Sequence, residues 1–424
     1  MSGFDIFTET LLLSILFWQN CAALMKKYLL SSTILILLLF CPIQAQEAAN
    51  TTPTGAGALQ PPAPKRLSTV SETAYLDKLA QRGFKLETQG LFIESLDASS
   101  VYADLNSNIG FNPASVVKLA TSFAALTKFG PEYHFETSLY TDGVVDKKTR
   151  TLHGDLILHA TGDPVITTLD VSRLVRQVLH TGIARITGNL IVSGPFTYGR
   201  LYDTDQAISG LAAMLRRAGV RISGRIQAGT VRGTPLVTHV SSSLRDILFY
   251  QNAHSSNPIA ERIGEAIGGP KVVEQFLVRE VGIPVGEVSI SHTSGLDYNR
   301  ITPRGTTLLL RELIFWLNLS NLQPQDIMPV AGIDPGTLHG RFASEEYRGA
   351  IVAKTGTLPG TDGGVSTLAG VVYTRDRGTV LFAIFNSRGS VSTYRKLQDR
   401  FLKDFISECG GIPEVNASLR RSNN

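Results

Sequence analysis

Pro113-Ala114-Ser115-Val116-Val117-Lys118-Leu119-Ala120-Thr121-Ser122-Phe123-Ala124-Ala125-Leu126-Thr127-Lys128-Phe129 is the stretch on which the fold turns. Its apolar residues recur at helical spacing, proline opens it, and Gly130-Pro131 ends it. Ser115 and Lys118 stand three apart, nearly one helical turn, so they share a face. Ser115 lies near the front of the predicted helix, where its N–H has no helical partner and the dipole favours developing negative charge. A serine hydroxyl is a poor nucleophile at neutral pH and needs a base. A lysine partly desolvated by the surrounding Val, Leu and Phe can lose its proton and serve. Taken alone, the pair also suits a buried serine and a snorkelling lysine. SxxK is a cheap pattern in a chain this long.

Working outward, residues 73–82 read as a helix, and 90–96 and 100–105 as a β-hairpin. Residues 131–240 alternate short β-like runs with amphipathic helices. A repeat is visible there. Gly182-Ile183-Ala184-Arg185-Ile186-Thr187-Gly188-Asn189-Leu190 and Gly219-Val220-Arg221-Ile222-Ser223-Gly224-Arg225-Ile226 each follow a helix, and each suggests a C′ glycine and then a strand. His153-Gly154-Asp155-Leu156-Ile157 echoes the strand part alone. The repeat reads as a recurring α/β unit without chemistry of its own. Helices return over 244–250, 258–267, 271–281 and 305–319. Three β runs follow at 350–356, 367–374 and 379–386, the last two joined by a tight turn as in an antiparallel meander. A helix over 392–407 closes the chain. Strands at both ends, helices between them and an inserted segment make this an α+β protein with an α/β insertion.

Composition agrees. The chain has 424 residues, 43% hydrophobic and 18% charged, enough apolar surface for a real core and too much for wholesale disorder. The net charge of +4 is small and the signs are interspersed, so no nucleic-acid partner is expected. From Met25, Lys26 and Lys27 precede an apolar run over 29–40, and Pro42 and Ala45 follow. That pattern predicts a secretory signal over residues 1–45, cut after Ala45, with Met25 a possible start; an uncleaved anchor is the competing reading. Residues 46–70 are rich in Ala, Thr, Pro and Gly and read as a flexible linker. The expected organisation is then a catalytic domain from 71–130 plus 241–410, an inserted domain over 131–240, and a disordered tail over 411–424. The cysteines are Cys21, Cys41 and Cys409. Cleavage leaves Cys409 unpaired, a structural residue. No metal-ligand spacing occurs, and neither a metal nor a cofactor is expected.

Two further motifs carry chemistry. Ser255-Ser256-Asn257 precedes Pro258 and a predicted helix. Its hydroxyl can relay a proton and its amide can grip a substrate backbone, although the position also suits an N-cap. Lys354-Thr355-Gly356 lies in a β run. A cation and a hydroxyl can bind a carboxylate there, the glycine lets substrate backbone approach, and the N–H of Thr357 offers a second oxyanion donor.

SxxK, SxN and KTG in this order are the signature of the penicilloyl-serine transferases. The wider text, 112–119, Gly162-Asp163-Pro164, Ser294-Gly295-Leu296, 300–303 and 354–357, resembles the D-Ala-D-Ala carboxypeptidase/endopeptidases, the class C low-molecular-mass penicillin-binding proteins. The resemblance spans about residues 73–408. It implies a β-lactamase/transpeptidase-like domain, an antiparallel sheet flanked by helices, with the insertion between the first and second motifs. It implies a hydrolase acting on peptidoglycan stem peptides and inhibited by β-lactams; the signal reading adds a periplasmic or extracytoplasmic location, with loose membrane or cell-wall association left open. By resemblance, Ser115 forms the acyl-enzyme and Lys118 takes its proton. Ser255 and Lys354 relay a proton to the leaving amine. Asn257 holds the acyl amide. Thr355, with Lys354, binds the terminal carboxylate. The N–H groups of Ser115 and Thr357 hold the oxyanion. Asp163 is expected either to meet the substrate's side-chain amine or to serve as a turn residue before Pro164.

Three departures are visible. The insertion is short between Gly194-Pro195-Phe196 and Ala207. His292-Thr293-Ser294-Gly295-Leu296-Asp297-Tyr298-Asn299 lacks the family's usual Asp-Gly opening and its usual Arg, which bears on side-chain recognition. The stretch 358–366 is longer and Gly-rich, which bears on the rim of the cleft. The rivals are a β-lactamase or esterase on the same fold, told apart by how fast a penicilloyl adduct hydrolyses, and an inactive peptidoglycan-binding module, which requires a lost motif residue. GxSxG, Walker A and dinucleotide fingerprints are absent.

Overall fold

The computed structural model describes residues 63–413, and the signal-sequence reading lies outside them. The chain opens with β1 (Lys65–Arg66), α1 (Val70–Gln81), β2 (Gln89–Ser95) and β3 (Ser100–Leu105). β1 pairs in parallel with Ser100 and Val101, and Thr69 caps α1 by accepting the Glu72 N–H. The expected linker therefore ends earlier than residue 70. The alternation was too short to announce a two-residue strand that exists only through its partner.

A 3-10 turn (Ala114–Val117) leads into α2 (Lys118–Phe129). The insertion then runs through β4 (His134–Thr141), β5 (Val144–Asp146), β6 (Thr151–His153), β7 (Leu156–Ala160), α3 (Thr168–His180), β8 (Arg185–Ile186), β9 (Leu190–Ser193), α4 (Thr204–Arg217), β10 (Arg221–Ile222), β11 (Ile226–Ala228) and β12 (Thr234–Ser243). β4 leads in, β12 leads out, and the two pair antiparallel along most of their length. Next come α5 (Leu244–His254), α6 (Asn257–Ile267), α7 (Pro270–Arg279), the ribbon β13 (Val288–Ser289) with β14 (Arg300–Ile301), and α8 (Pro303–Leu319). β15 (Ile351–Leu358), β16 (Val365–Thr374), β17 (Gly378–Asn386) and α9 (Val391–Glu408) complete the chain.

The main sheet has the order β1-β3-β2-β17-β16-β15, antiparallel apart from β1. Period-two alternation sends its residues to two cores. On β17, Leu381, Ala383 and Phe385 join the helices α2, α5, α6, α7 and α8, while Val380, Phe382 and Ile384 join α1 and α9. Helices cover both faces, as the near-continuous apolar runs of β16 and β17 require. Burying a side chain such as Phe382 contributes roughly 1.5–3 kcal/mol. Cys409 lies in the second core, where burial pushes its thiol up to about 11. Gly411 and Ile412 also pack against the body, so the ordered chain runs past the expected boundary at 410.

The repeat folds as a stack. Each copy gives one strand to the sheet β10-β8-β6-β5 and one to the sheet β11-β9-β7-β4-β12. Both helices end at the expected glycines, Gly182 at φ +88° and Gly219 at φ +92°. Copies are tied by side chains taking the next backbone N–H. Asp142 accepts from Asp155 (2.8 Å), Asp155 from Asn189 (2.7 Å), and Asn189 from Arg225 (2.9 Å).

Candidate active site

The three motifs converge where the 3-10 turn, the α5–α6 junction and the edge strand β15 meet. Ser115 sits in the 3-10 turn and not in the first α-turn that the apolar spacing predicts. Ala114, just before it, is held at φ +47°, a region that costs a non-glycine residue about 1–3 kcal/mol. Asn112 props this geometry. Its Oδ1 accepts the Ala114 N–H (2.9 Å) and its Nδ2 donates to the Asp297 carbonyl (2.6 Å). Thr367 Oγ1 clamps the Pro113 carbonyl from β16 at 2.7 Å.

Lys118 is fully buried. Its Nζ donates to Asn257 Oδ1 (2.7 Å) and the Ser294 carbonyl (2.5 Å), and lies 3.0 Å from Ser115 Oγ. Two carbonyl acceptors and one hydroxyl match a neutral amine, which has two protons to give and one lone pair to receive. Burial lowers its pKa to about 7, against a smaller opposing pull from Glu261. Lys354 is equally buried, 2.8 Å from both Ser255 Oγ and the Thr355 carbonyl. Burial, reinforced by Lys118, pushes its pKa well below the ordinary lysine value.

Ser255 and Asn257 do not cap. Ser255 is the left-handed C-cap of α5 (φ +55°), and Ser256, the N-cap residue of α6, makes no side-chain cap bond. The reversal turns the Ser255 hydroxyl to Lys354 and the Asn257 amide to Lys118. On β15, the Ala353 N–H donates outward to Pro329, and period-two alternation turns the N–H groups of Thr355 and Thr357 to the same edge. β15 is the last strand of the sheet, so that edge is open to a ligand beyond Pro329. Its hairpin partner β16 begins in register, Leu358 opposite Val365, so the long rim expected from 358–366 shrinks to residues 359–364. Asp362 in this loop pairs with Arg300 at 3.2 Å.

One expectation is extended and another is corrected. Gly356 is required by packing as well as by any ligand. A Cβ there would lie 2.1 Å from Thr367 Oγ1 and 2.6 Å from the Pro113 carbonyl. Gly356→Ala is therefore expected to destabilise the fold by about 1–3 kcal/mol. It should also slow penicillin labelling by about 100-fold by displacing the turn that carries Ser115; melting and labelling rates check both. Asp163 is not brought to the cluster. Its side chain is fully covered, with Oδ1 accepting the Val165 N–H (2.8 Å) and Oδ2 3.3 Å from His239 Nε2. Burial raises its carboxyl pKa, and it is the turn residue of the two readings.

Three contributors escape the motif reading. Glu261, one turn beyond Asn257 on α6, accepts from Thr293 Oγ1 (2.9 Å) and the Ser294 N–H (3.0 Å), fixing the carbonyl that Lys118 binds. The i,i+4 spacing from Asn257 was its only signal. Thr337 accepts the Thr355 hydroxyl (2.8 Å). Arg395, on α9, donates to Thr357 Oγ1 (2.7 Å).

Solved structures share this architecture. Penicillin-binding protein 4 of Haemophilus influenzae superposes with a TM-score of 0.63 at 21% identity, covering 76% of this chain and 96% of that one. A predatory peptidoglycan endopeptidase of Bdellovibrio bacteriovorus gives 0.60 at 18% identity, covering 76% and 93%. Among curated sequences, D-alanyl-D-alanine carboxypeptidase DacB of H. influenzae is 22% identical over 413 residues, 70% of this chain and 84% of the relative. The D-alanyl-D-alanine carboxypeptidase of Actinomadura sp. strain R39 is 28% identical over 276 residues, 58% of this chain and 49% of the relative. Fold and site together define a serine hydrolase of the penicillin-binding class. The chain belongs to the D-Ala-D-Ala carboxypeptidase 3 (S13) family, whose sequence pattern it matches over residues 73–197 and 198–403.

Proposed function

We propose that this chain is a D-Ala-D-Ala carboxypeptidase and D,D-endopeptidase that trims or opens peptidoglycan stem peptides through an acyl-enzyme on Ser115. The observation that carries the reading is the buried Lys118 amine, 3.0 Å from Ser115 Oγ with both of its donor directions occupied by carbonyl oxygens. Ser115 Oγ attacks the carbonyl carbon beside the last D-residue, and its proton passes to Lys118 Nζ. The N–H groups of Ser115 and Thr357 hold the oxyanion. As the C–N bond breaks, the leaving amine takes a proton through Ser255 and Lys354. Asn257 holds the acyl-side amide through Nδ2, since its Oδ1 faces Lys118. Thr355 binds the α-carboxylate of the leaving residue. Water then releases the acyl group.

β-Lactams present the same carboxylate beside a strained amide and acylate the same serine. A long-lived adduct is expected, because Glu261, the carboxylate that acts on Lys118, is already engaged in holding the site, each oxygen accepting a hydrogen bond, from Thr293 and from Ser294. That favours a peptidase over a β-lactamase. The substrate lies outside the cytoplasm, which agrees with export of a form cut after Ala45. Among the described residues no helix is long and apolar enough to cross a membrane. The test is incubation with a fluorescent penicillin, peptide mapping of the label, and assay of D-alanine release from a D-Ala-D-Ala peptide. A stable adduct on Ser115 with D-alanine release is expected. Rapid penicillin loss without an adduct overturns the reading in favour of a β-lactamase, and neither adduct nor turnover in favour of a binding module.

A further inference from the structure

The hydroxyls of Thr355 and Thr357 stand two apart on β15 and so face one side of the open edge. Each is held from outside the strand, by different elements. Thr355 meets Thr337 from the segment before β15, and Thr357 meets Arg395 from the closing helix α9. Arg395 Nη2 donates to Thr357 Oγ1, which occupies an acceptor position of that hydroxyl and leaves its proton free to point into the cleft. Among the described residues the guanidinium makes no salt bridge, and the carboxylate that acts on it is Asp399. Asp399, one turn further along α9, is taken by Arg341 at 2.5 Å, and Arg341 also binds Gln398. Two cations therefore share one anion at this end of β15, which leaves net positive charge beside the third motif. Lys354 is a poor candidate for the missing cation, because burial and Lys118 both disfavour its charged form. A guanidinium keeps its charge in any such setting and offers a planar fork that fits a carboxylate.

We propose that Arg395 supplies the positive charge of the subsite that recognises the α-carboxylate of the leaving D-residue, acting beside and through the Thr357 hydroxyl. The inference rests on the acyl-transfer reading of Ser115 and adds to it a residue from the last helix, well outside the three motifs. It makes Arg395 a specificity-determining residue that separates substrates with a free terminal carboxylate from those without one.

The experiment compares Arg395→Ala and Arg395→Lys with the parent enzyme on two matched peptides, one ending in D-Ala-D-Ala and one in its C-terminal carboxamide. For Arg395→Ala, kcat/KM on the free acid is expected to fall about 10- to 100-fold, mostly through KM, the size of a lost charge-assisted hydrogen bond. The carboxamide, already without the anion, should lose no more than about twofold on the same reasoning. Arg395→Lys should recover part of the loss, since it restores charge without the fork. Equal losses on both peptides would reduce Arg395 to a prop for the strand, and no loss on the free acid would remove it from the site; either outcome overturns the inference. Penicillin labelling of the parent at Ser115 keeps the two readings separate. Absence of that label defeats the acyl-transfer reading, whereas a labelled parent with an indifferent Arg395→Ala defeats this inference alone.

Discussion

Ser115→Ala is expected to lose penicillin labelling and D-alanine release by at least about 10⁴-fold, the scale set by removing the nucleophile of a serine hydrolase. Stability should barely change. Ser115 is only partly buried, and Lys118 keeps Asn257 and the Ser294 carbonyl as partners when the hydroxyl goes. The left-handed Ala114 is held by Asn112 and is independent of the Ser115 side chain. The pair of measurements is a labelling time course and a thermal melt. Retained labelling in the mutant would move the nucleophile elsewhere and dissolve the site as built. A large drop in melting temperature would mean that the hydroxyl serves the fold more than the reaction.

Lys118→Met should slow acylation by about 10³- to 10⁴-fold, the range of a positioned general base. The parent enzyme should show the titration that the variant lacks. Because only the neutral amine accepts the serine proton and its pKa is about 7, the acylation rate should rise tenfold per pH unit below 7 and level off above. Stability runs in a definite direction too. The folded pKa lies below the unfolded lysine value of about 10.4, so the unfolded chain binds the proton more tightly over that interval. The native state therefore gains stability as pH rises from about 7 towards 10, and the charged amine costs most below 7. Methionine in its place removes that pH dependence. A variant that acylates slowly but keeps the parent's inflection near 7 would assign the base to another group, Lys354 first.

The elements were largely legible. The closing meander and the repeat announced themselves because period-two runs and C′ glycines are local signals. The three motifs were legible as a set, each landing on a helix-like turn, a junction and a strand. What escaped depends on distance along the chain. The backbone at Ser115 is a 3-10 turn behind a left-handed Ala114 because Asn112 bonds to Asp297 and Thr367 bonds to Pro113, contacts 185 and 254 residues apart in sequence. Glu261, Thr337 and Arg395 carry no pattern of their own and are defined by what they touch. Asp163 was ambiguous because a Gly-Asp-Pro turn reads alike whether its carboxylate faces solvent or, as here, His239. The cap reading of Ser255 and Asn257 failed for a similar reason. A left-handed residue between two helices leaves no mark in composition.

The Asx ladder of the insertion has a consequence beyond its shape. Successive rungs lie 34 and 36 residues apart, and each layer bonds chiefly to the one before it. Such an array behaves as a one-dimensional chain of neighbours whose ends open first. The outer layer, β10 and β11, ends the stack with mostly exposed residues, whereas β4 is paired on both sides and anchored by β12. Amide exchange should accordingly be graded, fast at Ile226–Ala228 and slow at His134–Thr141. Fraying at the far end then stops short of α2 and β15, which hold the two buried lysines, and the insertion can breathe, lengthen or shorten by whole layers while the catalytic floor stays still.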